Sequence, residues 1–450
     1  MPSSEPAEKN RVDEFIQHPK KALFILAIPT VIGMTVQIAY NIADTAYVGR
    51  LGADSIAALT FSFPLFFVLI SINSGIGVGM GSRISRLLGA KNKAEAENTA
   101  LHGLLVSFSF AILVFILGTI TLERLFSIFG ASDAVMPLAV SYMSVILFAI
   151  FFMFTSYILN SIFAAQGDTR TPMKVQISAL VLNIILDPIF IYVLGFGVRG
   201  AAIATFLAFV FSLILFIYFV RKKSYLRIRP RSFRFSAAIV KDIFAVGGPA
   251  TLMMLLISIY IVFINRFMAH FGTEYVASFG IVSRLESVSI MPVVAFSMAL
   301  ITLVGMFYGA KRYDLLKGII FFALKIGVLF TCLVGLIFFL LPTLFLRIFT
   351  PDQNLLSISN PYLRINVLTF PLMTVSIMIS RALQGMGFGM PGLIINLIRI
   401  MIVAVPLAYL FVFVLGYGYL AVVVAMVLGG IASNVAAFAW LKVKFSRIGI

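Results

Sequence analysis

The sequence predicts an all-α membrane protein with twelve transmembrane helices in two pseudo-symmetric six-helix lobes. Composition is the first reason: 61% of the 450 residues are hydrophobic and only 11% are charged, against about 25% charged residues in typical soluble proteins. The second is a series of twelve apolar stretches, each long enough to cross the ~30 Å hydrocarbon core as a helix of roughly 20 residues. The third is a repeat that relates the two halves of the chain.

The apolar stretches follow one another along the whole chain with short polar connections. A helix rises ~1.5 Å per residue, so each of them can span a bilayer. The predicted spans are residues 22–48, 57–82, 99–120, 136–159, 173–194, 200–220, 243–268, 276–306, 318–341, 358–380, 392–415 and 419–441.

The basic residues set the orientation of these spans. The net charge is +17, but Lys and Arg lie between the apolar stretches rather than on a soluble domain, so we expect no nucleic-acid partner. They concentrate near the N-terminus and in alternate loops, above all in residues 221–241, which places both termini in the cytoplasm. Residues 1–21 are polar and are expected to form a cytoplasmic tail rather than a signal peptide. A specific anionic-lipid site on the 221–241 linker is the less favoured alternative to a plain topology signal.

An internal repeat appears when the sequence is shifted by 220 residues. Each half has six helices, an even number, so the chain enters and leaves each half on the same side of the membrane, as in parallel transporter repeats. We therefore predict an N-terminal lobe at 1–220, a basic cytoplasmic linker at 221–241 and a C-terminal lobe at 242–450. The matching pairs include Lys21 with Lys241, Pro29 with Pro249, Gly52 with Gly272, and Gly89-Ala90-Lys91 with Gly309-Ala310-Lys311.

The sequence contains no motif that is typical of an enzyme. The single cysteine, Cys332, lies in an apolar run, and the three histidines are isolated from one another. Disulfides, thiolate metal sites and the usual catalytic motifs are therefore absent from the pattern. An intramembrane enzyme such as a prenyltransferase would need a cluster of metal-binding carboxylates, which the sequence lacks. We predict neither an enzyme nor a resident cofactor.

The stretch LNIILDPIFIYVLGFG carries the most informative charge. Asp187 is its only ionisable group apart from the tyrosine, and a carboxylate at that depth costs roughly 2.5–3.5 kcal/mol, so such groups usually mark ion or substrate pathways. Asn183 lies one turn earlier on the same helical face. Pro188 frees a backbone carbonyl and favours a kink beside the acid. We predict that this face binds a cation; a carboxylate that serves stability alone is the alternative.

The first predicted helix carries a second intramembrane acid. Gln37, Tyr40 and Asp44 recur at i, i+3 and i+7 and form a polar stripe that must face protein or water. If this helix adjoins the fifth, Asp44 and Asp187 can share a proton or a Na⁺ ion with the Asn183 amide and the Thr205 hydroxyl. The repeat places Ile264 opposite Asp44, so the acid pair exists in one half only. The residues do not decide between H⁺ and Na⁺.

Other residues within spans allow more than one interpretation. Pro29 and Pro249 occupy equivalent positions, where they either kink their helices for packing or act as hinges. Glu286 is a candidate for a second proton or cation site. Arg399 is expected to snorkel or to bond backbone carbonyls rather than to bind substrate.

Four stretches resemble the multidrug and toxic compound extrusion (MATE) transporters, and most closely the prokaryotic DinF-like branch. The resemblance covers nearly the whole chain, and its most specific part is LDPIFIYxLGFGxxGAA. The stretches are YNIADTAYVGRLG, AAQGDTRTPM, LNIILDPIFIYVLGFGVRGAAIAT and LQGMGFGMPGLIINLIR.

The resemblance implies a secondary active antiporter that exports organic, often cationic, compounds while H⁺ or Na⁺ moves inward by alternating access of two lobes. It implies a coupling site at Asp44, Asn183, Asp187 and Thr205, with bending of the first helix at Pro29. Substrate contacts would carry over to the residues Gln37, Tyr40 and Asn160. We expect a monomer in the plasma membrane whose partners are the lipid bilayer and small organic molecules. A flippase for lipids or lipid-linked oligosaccharides is the alternative; it would need several basic residues in its cavity.

Overall fold

The computed structural model describes residues 11–449, except for the side chain of Asn41; residues 1–10 of the predicted cytoplasmic tail lie outside the described residues. Every regular element in this range is helical. The helices are α1 (Arg11–Gln17), α2 (Pro19–Gly49), α3 (Ala53–Gly89), α4 (Lys93–Ile128), α5 (Met136–Ala165), α6 (Arg170–Pro188), α7 (Gly197–Lys223), α8 (Ala237–Ala269), α9 (Thr273–Gly309), α10 (Tyr313–Leu340), α11 (Pro342–Leu346), α12 (Gln353–Asn366), α13 (Thr369–Gly385), α14 (Met390–Leu397), α15 (Val405–Tyr409) and α16 (Leu420–Arg447).

Three π-helical turns extend these helices without a break. They are Ile189–Val193 after α6, Ile398–Ala404 between α14 and α15, and Leu410–Val414 after α15. Short π segments inside α-helices often occur at functional sites, because they change the direction in which nearby side chains project.

Within the described chain, eleven helices are long and apolar enough to cross a membrane, with Arg170–Val193 and Met390–Val414 each counted as one span. α12 and α13 provide a twelfth if they are taken together, since a bend of 46° separates them. The predicted all-α membrane protein with twelve spans is confirmed in this sense. The predicted tenth span, 358–380, runs across the bend, and its first half carries the polar residues Ser359, Asn360, Arg364 and Asn366.

The helices group into two units. The first contains residues 11–14 and Ile28–Gly247, and the second contains Phe15–Ala27 and residues 248–449. The division therefore falls inside α2 and inside α8, in each case just before the proline that the repeat pairs, Pro29 and Pro249. Apolar sequence continues through both helices, so it does not reveal that their two ends pack with different neighbours.

In the first unit, α5 packs against α3, α4 and α7. Buried Phe126, Ile150 and Phe154 belong to its main apolar cluster. The LGFG motif forms the tight connection from α6 to α7, where Gly195 and Gly197 have φ values of 69° and 54° that favour glycine. A side chain at Gly200 would place its Cβ 2.5 Å from the carbonyl oxygen of Phe190. The motif thus holds α7 closely against the π turn that follows Asp187.

In the second unit, α9 packs against α10, α12 and α13. Its apolar cluster includes the fully buried Phe370 and Tyr362. The two units share detailed geometry: α3 and α9 are both 37 residues long. The turns after them place Lys91 and Lys311 in the left-handed region, at φ values of 59° and 56°. Equivalent residues therefore adopt equivalent conformations 220 positions apart.

The connection between α7 and α8, residues 224–236, is held against the first unit by hydrogen bonds to its backbone. Gln166 Oε1 accepts from the N–H groups of Tyr225 and Leu226 at 2.8 and 3.2 Å. Asn98 exchanges two bonds with the Arg234 backbone, at 2.9 and 3.1 Å. His102 Nε2 accepts from the Ser236 N–H at 2.9 Å. This basic segment is thus an ordered part of the unit rather than a loose tether.

The first residues of α8 also belong to the first unit. Asp242 Oδ2 accepts from Arg83 Nη1 at 2.6 Å and from Arg86 Nη2 at 3.0 Å, and Arg83 also bonds to Glu95. A Cβ at Gly247 would lie 2.5 Å from the carbonyl oxygen of Gly75, so α3 and α8 approach at backbone distance. The charge-assisted bonds of Arg83 and Arg86 to Asp242, together with the close approach of Gly247 to Gly75, fix this end of α8.

Candidate functional site

The centre of the site is the face of α6 that carries Asn183 and Asp187. Both side chains are buried, with 1% and 0% of their surface exposed. In the amide orientation that satisfies both of its ends, Asn183 donates to Asp187 Oδ2 at 3.0 Å and accepts from the Thr205 backbone N–H at 3.2 Å. The amide therefore joins the carboxylate on α6 to the neighbouring helix α7.

Asp187 stands directly before Pro188 and the π turn Ile189–Val193. Proline has no N–H, and a π turn shifts the hydrogen-bond register, so the backbone near the acid departs from regular α geometry. The sequence predicted a kink beside the acid, and the structure has a π turn directly after Pro188.

Asp44 on α2 provides the second acid. The charges of Asp44 and Asp187 interact directly. One carboxylate oxygen of Asp44, Oδ1, is buried and has no hydrogen-bond partner. Across the residues that the structure describes, neither acid has a basic ion-pair partner within 4.0 Å. Asp187 is buried and Asp44 is half-buried, so the repulsion between their negative charges is relieved when a proton or a metal cation binds.

Hydroxyl groups complete the polar surface around the acids. The Tyr40 hydroxyl lies 2.9 Å from Thr205 Oγ1, which links α2 to α7. Tyr142 on α5 also interacts electrostatically with both Asp44 and Asp187. Sequence reasoning missed Tyr142, although an isolated tyrosine in an apolar span is a recognisable signal. The four predicted coupling residues thus come together with two tyrosines around them.

A cavity of about 110 Å³ opens onto this site within the first unit. About 10–15 Å³ of such space is enough for one water molecule, so the cavity can hold an ion with its water or the polar end of a larger molecule. No Lys or Arg lines it. Its lining residues are Val36, Gln37, Tyr40, Gln176, Ala179, Leu180, Asn183, Thr205, Ala208, Phe209 and Ser212.

Two of the three predicted substrate residues line this cavity, namely Gln37 and Tyr40. Asn160 lies beside it, where its Oδ1 accepts from Gln176 Nε2 at 3.2 Å. Gln176 is a lining residue that sequence reasoning missed. It shares the helical face of Asn183 and Asp187 at intervals of seven and eleven residues, and this periodicity was the available signal.

Pro29 lies away from the acids, fifteen residues before Asp44 on α2, and is itself buried. The helix runs through it without interruption. The structure thus separates the proline from the coupling residues along one continuous helix. No group of three His, Cys, Asp or Glu side chains that could hold a metal occurs in residues 11–449. A Na⁺ ion at the acid pair would therefore need neutral oxygens such as those of Asn183 and Thr205.

Comparison with protein families gives two matches to one family model. The MatE model matches residues 29–189 and again residues 249–410. The two matches begin 220 residues apart (249 minus 29), which is the shift found in the sequence. The resemblance predicted from the motifs is confirmed, and so is the duplication.

Individual relatives agree with the family match. The chain is 29% identical over 403 residues to the FAD transporter of Shewanella oneidensis, covering 87% of each chain. It is 26% identical over 385 residues to the multidrug export protein MepA of Staphylococcus aureus, covering 84% of each. Among solved structures, a MOP superfamily transporter from Pyrococcus furiosus is 32% identical, with a TM-score of 0.92 over 98% of this chain and 99% of that one. With the fold, the duplicated family match and these relatives in agreement, the chain belongs to the MATE family of membrane transporters.

Proposed function

We propose that the protein is a secondary active antiporter that exports organic, often cationic, compounds in exchange for H⁺ or Na⁺ moving inward. The observation that carries this proposal is the shared surface of two sites. Tyr40, Asn183 and Thr205 surround the carboxylates and also line the adjacent cavity. An ion that neutralises the acids therefore alters the charge that a molecule in the cavity meets.

The coupling follows from electrostatics at low dielectric. While Asp44 and Asp187 are charged, they attract the cationic end of a substrate in the cavity. When a proton or Na⁺ enters from outside, the negative charge of the pair is reduced and this attraction weakens, so the substrate leaves. A membrane potential of 100 mV contributes ~2.3 kcal/mol for each charge that moves inward. One coupled charge is then sufficient for a tenfold substrate gradient, which needs ~1.4 kcal/mol.

The transport cycle that we propose is alternating access of the two lobes, with α2 bending at Pro29. The bend is suggested by the position of this proline at the boundary inside α2, where the helix passes from one unit to the other. A helix interior with proline lacks one hydrogen bond and bends there at lower cost than elsewhere.

A flavin dinucleotide is a second candidate substrate on the name of one relative, a FAD transporter, although its two phosphates find no Lys or Arg in the cavity of the first unit. The lipid-flippase alternative receives less support from the first unit. A phosphate-bearing headgroup needs basic partners, and the cavity beside the acids has none among its lining residues. Both candidates can be tested in the assay that tests the main proposal.

The test is uptake of a fluorescent cationic dye into proteoliposomes that contain the purified protein. A pH gradient and a Na⁺ gradient are imposed separately, with the membrane potential clamped. We expect dye movement under one gradient, which identifies the ion, and its loss in Asp187→Asn. Asp54→Asn is the matched control, because Asp54 is exposed and lies outside the site.

Three results would contradict the proposal. Dye movement without either gradient would indicate a passive pathway, and gradient-driven movement that survives in Asp187→Asn would remove the acid from the coupling site. No movement of the dye, combined with gradient-driven movement of FAD or of labelled lipid, would replace the substrate class.

A further inference from the structure

The connection between α7 and α8 presents unpaired positive charge at the surface of the first unit. Arg229, Arg231 and Arg234 are exposed, and their side chains form no ion pair or hydrogen bond with any described residue. Their guanidinium donors are therefore available to an anion. No Asp or Glu occurs in the stretch 221–241, whose basic residues are Arg221, Lys222, Lys223, Arg227, Arg229, Arg231, Arg234 and Lys241.

The backbone that carries the exposed arginines is held at two points. Asn98 on α4 exchanges two hydrogen bonds with the Arg234 backbone, at 2.9 and 3.1 Å. Glu97 Oε1 accepts from the Arg227 N–H at 2.9 Å. A short 3₁₀ turn, Pro230–Ser232, lies between these two anchors. Because the backbone is already ordered, the arginines lose less conformational entropy on binding an anion than they would on a flexible tail.

The contacts with α4 indicate the depth of this segment in the membrane. Asn98 lies one residue before the apolar stretch 99–120 that the sequence predicts to cross the hydrocarbon core, so Arg234 lies at the level of the lipid headgroups. His102 is four residues further along α4, ~6 Å deeper, and the ring of Phe235 lies 5.8 Å from its imidazole, centre to centre. Phe235 is 68% exposed, so its ring is available to the first methylene groups of the acyl chains.

The end of α7 has a similar pairing of basic and aromatic residues. Lys222 Nζ donates to the Tyr218 hydroxyl at 2.9 Å, and Lys223 Nζ lies 5.4 Å from the centre of the Phe219 ring. Aromatic rings and long basic side chains at the end of a span are typical of the membrane–water interface. The segment therefore has interfacial residues at both of its ends.

The sequence left a specific anionic-lipid site on this linker as the less favoured alternative to a topology signal. A topology signal needs only positive charge in a loop. Here the backbone is ordered as well, every basic residue from 227 to 234 is an arginine, and an exposed phenyl ring lies next to the charges. Arginine binds phosphate oxygens in pairs through its planar fork, which lysine cannot do.

The surface that these observations define consists of Arg229, Arg231, Arg234 and Phe235. We propose that it binds an anionic phospholipid of the leaflet that the sequence predicts to be cytoplasmic, with the phosphate group on the guanidiniums and an acyl chain against the phenyl ring. The site is separate from the acid pair and does not depend on the proposed antiport.

The test is native mass spectrometry of the full-length protein in detergent, titrated with phosphatidylglycerol, which is anionic, or with phosphatidylcholine, which is zwitterionic. Each basic residue near an anionic lipid strengthens its binding by about fivefold. We expect the native protein to bind phosphatidylglycerol at least about tenfold more tightly than phosphatidylcholine. Replacing the three exposed arginines together by glutamine should reduce this preference to about twofold or less.

Two control variants separate a specific site from general charge attraction. Arg170→Gln, Lys174→Gln and Lys317→Gln together remove the same charge from exposed positions outside the segment, and they should leave the preference unchanged. Asn98→Ala retains every arginine but removes both hydrogen bonds to the Arg234 backbone, so it should lower the preference by about threefold. Replacing the three arginines by lysine keeps the charge and should retain only part of the preference.

A native preference in the glutamine variant would overturn the proposal. An equal loss in the control with three distant substitutions would also overturn it, because any surface charge would then serve. A native preference in both Asn98→Ala and the lysine variant would reduce the site to general charge attraction. If glycerol phosphate at about tenfold excess displaced phosphatidylglycerol, the arginines would bind a soluble phosphate rather than a lipid. Because the readout is lipid binding, failure of the antiporter proposal would leave these results unaffected.

Discussion

Replacing Gln166 by alanine should release the connection between α7 and α8. The Gln166 side chain is 7% exposed and its Oε1 accepts from the N–H groups of Tyr225 and Leu226 and from the Ser224 hydroxyl. Truncation leaves two backbone donors unpaired at about 1–3 kcal/mol each when they are buried. Because water reaches part of this segment, we take the lower bound, about 2 kcal/mol in total, which corresponds to about a 30-fold larger open population.

Limited proteolysis measures this population directly. Trypsin can cleave the segment after Arg231 and Arg234, and when opening is fast the cleavage rate follows the open fraction. Gln166→Ala should therefore be cut about 30-fold faster than the native protein, and the control Gln353→Ala, at an exposed position on α12, should not change. Cleavage of Gln166→Ala at the native rate would refute the view that these hydrogen bonds hold the segment.

Two further substitutions test the packing that positions the site. Gly200→Ala should lower the free energy of unfolding by about 1–3 kcal/mol, because its Cβ would lie 2.5 Å from the Phe190 carbonyl oxygen. The thermal transition temperature should fall accordingly. It should not fall in the control Gly248→Ala, where the added Cβ has no atom within 4 Å. Arg83→Gln should lower stability by about 1–2 kcal/mol through its lost contact with the carboxylate on α8, whereas Arg312→Gln at an exposed pair should change nothing measurable. A native transition temperature in both Gly200→Ala and Arg83→Gln would contradict this account of the packing.

Local chemistry explains which parts of the site the sequence predicted. Asp44 and Asp187 were recognisable because charged groups are rare inside spans, and Asn183 because helical periodicity places it on the same face. Thr205 followed as a hydroxyl that could join them. The duplication was visible because residues such as Gly89-Ala90-Lys91 recur 220 positions later as Gly309-Ala310-Lys311.

The features that the sequence did not predict depend on contacts between helices that are far apart in the chain. Glu286 accepts a hydrogen bond from Asn366, which lies 80 positions away, and no periodicity connects the two, so Glu286 was interpreted alone. The order of the 224–236 segment depends on side chains such as Gln166 and His102 that look unremarkable in their own helices. The bend between α12 and α13 divides the polar α12 from the more apolar α13, a division that treating residues 358–380 as one apolar span did not recognise.

The most direct test of the central claim is the ion flux that a substrate gradient drives. Proteoliposomes loaded with a cationic dye and with a pH-sensitive or Na⁺-sensitive fluorophore are diluted into dye-free buffer. We predict that outflow of the dye drives one of these ions inward with the native protein and with Asp54→Asn, and that this ion movement is lost in Asp187→Asn. Ion movement of native size in Asp187→Asn, or dye outflow with no movement of either ion in the native protein, would contradict the account.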